Sequence, residues 1–153
     1  MLANQNRSSW DRAAIDEASV LLERELTRRR PGPFQIQATI ACLHSIAPAY
    51  SDTDWPQIVV LYSLLEEHLP TPVVRVNRAV AVAEVSGPAA ALALLDTVAA
   101  EDVELCHLYW STRANFLRRL GRESDARDAF DRALGCPMND TDRRFLEGER
   151  NRA

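Results

Sequence analysis

Apolar residues recur along this chain at helical spacing, and proline and glycine cut the pattern into helix-length pieces. From Trp10 to about Arg30, Ile15, Ala18, Leu22 and Leu26 share one face of a 3.6-residue period, with Ser8 or Ser9 available as N-cap. Pro31-Gly32-Pro33 ends that run. From Phe34 to Ile46 two readings compete. Phe34, Ile36, Ala38 and Ile40 alternate like a strand, whereas Ile36, Ile40, Leu43 and Ala47 fit a helical face. No partner strand occurs elsewhere, so helix is preferred. Asp54 with Gln57 three places on has the form of a capping box opening a helix over 55–68. Thr71-Pro72 places a cap before an N1 proline and opens 73–85. Gly87-Pro88 separates that helix from 89–98, and further helices are predicted over about 104–120, 123–134 and 141–150. Eight helices and no partnered strand predict an all-α fold.

The spacing of the interruptions adds a second layer. Gly87 and Gly121 lie 34 residues apart, each between two predicted helices, and another step of the same size back reaches Thr53. This is the tetratricopeptide period, in which a helix pair buries its apolar face by stacking on its neighbour. The last unit fits best. Ala126, Phe130 and Ala133 form a small-large-small series, preceded by Trp110, Ala114 and Leu117. Tyr62 and Pro70 fit the first unit, while Leu92 and Asp96 stand where the middle unit should carry alanine and phenylalanine. The predicted architecture is therefore a right-handed solenoid of stacked antiparallel helix pairs in one domain over 1–153. It divides into a linker motif (1–9), an N-terminal helical region (10–38), three repeat-like units (39–72, 73–106 and 107–140) and a capping helix (141–153).

Composition narrows the chemistry. The chain has 153 residues, enough for one buried core, and a net charge of −4. All 18 basic residues are arginine, which excludes a Walker-type lysine, a lysine Schiff base and a lysine general base. The acidic balance argues against direct nucleic-acid binding. Cys42, Cys106 and Cys136 have neither metal-ligand nor disulfide-framework spacing, so they read as reduced residues of a cytoplasmic protein. The polar N-terminus lacks the apolar run of a signal peptide, and charges at Arg75, Arg78 and Glu84 interrupt the most apolar stretch, arguing against a membrane span. His44, His68 and His107 have no second histidine at metal spacing, and neither Cys42 with His44 nor Cys106 with His107 shares a helix face. No metal, cofactor or enzymatic activity is predicted.

Several stretches carry a family resemblance: Asn4-Gln5-Asn6-Arg7-Ser8-Ser9-Trp10-Asp11, Arg30-Pro31-Gly32-Pro33-Phe34-Gln35-Ile36-Gln37-Ala38, Asp52-Thr53-Asp54-Trp55, Val76-Asn77-Arg78-Ala79-Val80-Ala81, Leu117-Arg118-Arg119-Leu120-Gly121-Arg122 and Arg143-Arg144-Phe145-Leu146. In this order they resemble the C-terminal tetratricopeptide-like extension of bacterial extracytoplasmic-function RNA polymerase sigma factors. The resemblance implies a regulatory, protein-binding domain whose promoter- and polymerase-binding regions lie upstream, outside this chain. Its partners would be those sigma regions, RNA polymerase or a signalling protein. The family's linker motif reads Asp-Gln-Asp-Arg-Ser-x-Trp-Asp, whereas this chain has amides at Asn4 and Asn6. A motif acting through carboxylate charge would be impaired here, and one acting by backbone capping would not.

Two groups of candidate partner-binding residues follow. The linker group is Asn4, Gln5, Asn6, Arg7, Ser8, Trp10 and Asp11, with Arg7 and Trp10 of the types enriched at interface hot spots. It reads equally as the start of the first helix. The second group comes from the repeat register. Asn77 and Ser111 share one position of the concave groove, Asn115 marks a second, and Glu84 and Arg118 share a third. Such a row suits the backbone or carboxylate of an extended peptide, or is ordinary solvated surface. The clusters Arg28-Arg29-Arg30, Arg118-Arg119-Arg122 and Arg143-Arg144 read as helix-end and surface charge. A stand-alone peptide-binding adaptor of the tetratricopeptide type is the alternative to a sigma-factor domain.

Overall fold

Residues 5–26, 31–99 and 106–152 are described by a computed structural model. Among them are seven α-helices and no strand: α1 (Arg12–Leu26), α2 (Pro33–Ile46), α3 (Trp55–His68), α4 (Pro72–Leu95), α5 (His107–Arg119), α6 (Glu123–Gly135) and α7 (Asp140–Arg150). The all-α prediction holds, and its count of eight differs for one reason. The predicted helices 73–85 and 89–98 run together as α4, with a break at Gly87, whose φ of 83° and ψ of 167° suit glycine alone. The Arg28-Arg29-Arg30 cluster and Asn4 lie outside the described residues.

The chain divides into two compact units, Met1–Leu69 and Pro70–Ala153, with the division falling inside the predicted repeat-like unit 39–72. In the first unit, α2 packs against both α1 and α3. Its core holds Ile36, Ile40, Ala47, Trp55, Ile58 and Leu65. Burial of Ile36 and Ile40, with Phe34 82% exposed, resolves the strand-or-helix ambiguity at 34–46 in favour of the helical face. Asp54 caps α3 by accepting from the Gln57 amide at 3.0 Å.

The entry to α1 departs from expectation. Neither Ser8 nor Ser9 caps it. Those residues form a 3₁₀ turn, Arg7–Ser9, whose own cap is Asn6, and Asp11 caps α1 by accepting from the Ala14 amide at 3.1 Å. A 3₁₀ turn uses the serines before the helix begins, leaving the next short acceptor to take its free N–H groups.

In the second unit, α5 packs against α4 and α6, and α6 against α7. Thr71 caps α4 through its hydroxyl, which accepts from the Val74 amide at 3.3 Å. The chain leaves α5 through Gly121 (φ 73°): the Gly121 amide donates to the Arg118 carbonyl and the Arg122 amide to the Leu117 carbonyl, each at 3.0 Å. This double closure satisfies the last free carbonyls of α5 and turns the chain back into α6. Two apolar clusters fill the unit. Val76, Ala79, Ala83, Ala91, Leu95, Tyr109 and Phe116 form one. The other joins Leu92, Ala114 and Leu117 with the small-large-small series Ala126, Phe130, Ala133, and with Leu146 of α7. Trp110 packs against both.

By length and composition, α4 is apolar enough to cross a membrane. The break at Gly87 divides it, and five of its side chains belong to the first apolar cluster.

Candidate protein-interaction site

The linker motif folds inward. Arg7 is only 5% exposed. Its Nη1 donates to the carbonyls of His44 (2.9 Å), Ala47 (2.8 Å) and Ala49 (3.2 Å), and its Nη2 lies 3.5 Å from the Thr53 hydroxyl. One guanidinium thus serves the His44 and Ala47 carbonyls at the C-terminal end of α2, where a positive charge also meets the negative end of the helix dipole, and shares the Ala49 carbonyl with the Asp52 amide. Trp10 covers it, with the guanidinium 5.3 Å from the ring centre. Asn6 accepts from the Ser8 amide at 3.2 Å and the Ser8 hydroxyl at 2.7 Å. Those are capping contacts that an amide oxygen makes as well as a carboxylate does, so asparagine costs the turn little. Gln5, Asn6, Ser8 and Asp11 remain exposed.

Beside this tie, His44 packs edge-on against Trp55, ring centres 5.2 Å apart. Burial first, and the Arg7 charge second, hold its imidazole below the ordinary pKa of 6.5.

The concave-row residues are on α4 and α5, and the structure shows which are already engaged. Glu84 accepts from Arg119 at 3.0 Å, and Arg119 also donates to the Ala83 carbonyl at 3.3 Å. Arg118 turns instead to α7. Its Nη2 donates to Glu149 at 2.9 Å, and its guanidinium carbon sits 6.0 Å from the Phe130 ring centre. Ser111 closes locally on the Leu108 carbonyl at 3.1 Å. Asn77 and Asn115 are half-buried and, among the described residues, make no side-chain hydrogen bond. The two asparagines are therefore the row's available polar groups, and both of its charges are spoken for.

A second site was missed by sequence reasoning. Asp96, Tyr109, Trp110, Arg113, Arg122 and Arg132 line most of a cleft of about 370 Å³ along α5 and α6. Its floor is Trp110, held edge-on against Tyr109 at 5.1 Å and covered by the Arg132 guanidinium at 4.7 Å. On the walls, Arg113 is paired with Asp96 and Arg122 with Asp125. The clue was Asp96. An acid where the repeat pattern calls for phenylalanine leaves a charged wall in place of an aromatic plug, and it draws Arg113 across to meet it.

The histidines and cysteines are scattered. His107 lies 4.0 Å from Asp142, and His68 is exposed. Cys42 meets the Ser19 hydroxyl at 3.2 Å, while Cys136 is buried and its thiol pKa is raised by burial and by Cys106. Among the described residues, no three His, Cys, Asp or Glu side chains gather into a metal site.

An uncharacterized protein of Rhizobium meliloti (strain 1021) is 42% identical to this chain over 146 residues, covering 95% of the chain and 34% of the relative. The chain thus spans about a third of the length of the curated relative it matches. No family model matches the chain, and no solved structure matches it.

Proposed function

We propose that this chain is a regulatory protein-interaction domain of a bacterial RNA polymerase sigma factor, built as a right-handed tetratricopeptide-like stack and working in the cytoplasm. The observation that carries the binding role is the cleft at Trp110. It places Trp110 under the Arg132 guanidinium, with Arg113 and Arg122 facing Asp96, Asp125 and Asp128, and tryptophan and arginine are side-chain types that dominate binding hot spots. Support for the repeat comes from Gly87 and Gly121, which take positive φ at matching points one tetratricopeptide period apart. The sigma-factor assignment rests on the sequence stretches named above.

The domain acts by population shift. A partner engaging α5 and α6 favours one presentation of the upstream sigma regions over another, by as much as it binds the two states differently. The partner is the sigma regions themselves, RNA polymerase or a signalling protein. Trp110→Ala and Arg132→Ala in the intact factor, assayed by transcription in vitro, test this. Altered promoter-dependent transcription by Arg132→Ala with unchanged unfolding, and by Trp110→Ala while it remains folded at the assay temperature, supports the reading, since Trp110 also packs against both apolar clusters and its loss costs stability. Unchanged transcription by both folded variants refutes the role of the cleft.

A second reading, a stand-alone peptide-binding adaptor, is favoured by one observation. Asn77 and Asn115 offer unbonded amides from adjacent helices, as an extended peptide backbone would need. It predicts that Asn77→Ala with Asn115→Ala abolishes peptide binding, while the Trp110 variant keeps it.

A further inference from the structure

Helix α7 is held in an unusual way. Of its eleven residues only Leu146 and Glu149 are buried, and one of these is a carboxylate. Glu149 is 4% exposed, and two arginines meet it. Arg118 of α5 donates to one of its oxygens at 2.9 Å and Arg152, just beyond α7, to the other. Around this pair the other ties are polar and at the rim: Arg150 with Asp131 of α6, Arg143 donating to the Leu134 carbonyl at 3.1 Å, and Asp142 4.0 Å from His107 of α5. A buried carboxylate is tolerated only where a matching cation is fixed in place. Here that cation belongs to the body of the unit and lies over the Phe130 ring.

The register gives this contact meaning. Glu149 lies 34 residues after Asn115, so α7 carries its carboxylate at the register position that Asn115 holds in the concave row of α5. Arg118, the one cation of that row, is thereby occupied from within the chain. Its neighbour Arg119 cannot replace it, being bonded to Glu84 and the Ala83 carbonyl.

We propose that α7 is a built-in ligand, and that a partner's acidic amphipathic helix, with an apolar side chain three residues before a carboxylate, takes the Arg118–Phe130 site by displacing it. The i, i+3 pair places both groups on one helix face, as Leu146 and Glu149 are placed in α7. Two features make exchange feasible. An eleven-residue helix is unstable alone, and α7 is anchored by a single buried apolar side chain, so it opens more easily than the helices beneath it. The inference concerns regulation of the concave row and goes beyond the reading above. Its failure would leave the Trp110 cleft untouched.

The test uses the full chain and a fluorescently labelled peptide of residues 138–152. Glu149→Gln in the chain releases Arg118 without changing side-chain size. That variant is expected to bind the peptide at least ten-fold more tightly than the unaltered chain does, and Glu149→Gln in the peptide should erase the gain. A folded variant that binds no better, or a gain indifferent to the peptide's carboxylate, overturns the proposal. Hydrogen exchange on the unaltered chain gives a second measurement independent of the variant's folding. Amides of α7 should exchange by local opening well before those of α5 and α6, and exchange of all three helices only by a common global opening would equally overturn it.

Discussion

Replacing Arg7 with alanine deletes a group that four partners share. The three carbonyls it satisfies, at His44, Ala47 and Ala49, lie at 2.8–3.2 Å. Hydrogen bonds to a charged donor contribute about 1.5–3 kcal/mol each when broken singly, and a cation at a partly buried helix C-terminus up to about 2 kcal/mol. These figures do not add, because removing one guanidinium lets water reach the His44 and Ala49 carbonyls, leaving chiefly Ala47 buried. The expected loss is about 3 kcal/mol, confined to the first unit. Arg7→Lys should recover roughly half, since an ammonium keeps the charge but not the planar fork that reaches several acceptors. Urea unfolding with residue-resolved hydrogen exchange measures both, and the loosening should centre on residues 44–53. A loss below about 1 kcal/mol with unchanged exchange there would refute the idea that the linker motif is a structural tie. The same result would return Arg7 to the role of a partner contact.

Three further outcomes follow from the geometry. His44 is held below its ordinary pKa, so the unfolded chain binds the proton more readily. The first unit should therefore lose stability as pH falls through about 6.5 towards the lower folded value, with no such contribution above that range. Denaturation of His44→Phe against pH should lack this component. Gly87→Ala should cost about 1–3 kcal/mol and Gly121→Ala about 1 kcal/mol, purely through backbone strain, because no atom lies within 4 Å of the added methyl at either site. Equal, near-zero shifts in urea midpoint would contradict the positive φ values. Asp96→Asn weakens an exposed ion pair and should change unfolding stability by less than about 1 kcal/mol. In the same variant, partner binding through the Trp110 cleft should weaken, as calorimetry would show.

What could be read in advance was local. Asp54 and Thr71 cap the helices they precede, and the glycines at 87 and 121 take the left-handed conformations that helix ends require, because each depends on residues a few places apart. The small-large-small series of α6 was legible as core through its spacing. The sites were less so. Nothing near Arg7 announces that its donors end on carbonyls some forty residues away, and the motif's polarity suggested exposure instead. The 34-residue register put Glu84 and Arg118 at equivalent positions, but equivalence does not choose between neighbouring arginines. Arg119 took Glu84, and Arg118 turned to Glu149, because the end of α7 brings a second acid within reach of one and not the other. The Trp110 cleft required the pairing of Asp96 with Arg113, which only the packing of α4 on α5 brings about.

The proposed regulatory role requires that this chain bind protein, and the sigma factor's own upstream regions are the first of the proposed partners to try. Calorimetric titration of the chain with the promoter- and polymerase-binding regions of that factor, supplied as a separate polypeptide, tests it most directly. The account predicts saturable binding that is weakened at least ten-fold by Trp110→Ala and preserved in the fully folded Arg7→Lys variant. Absence of binding, with both polypeptides shown to be folded, would contradict the sigma regions as the partner.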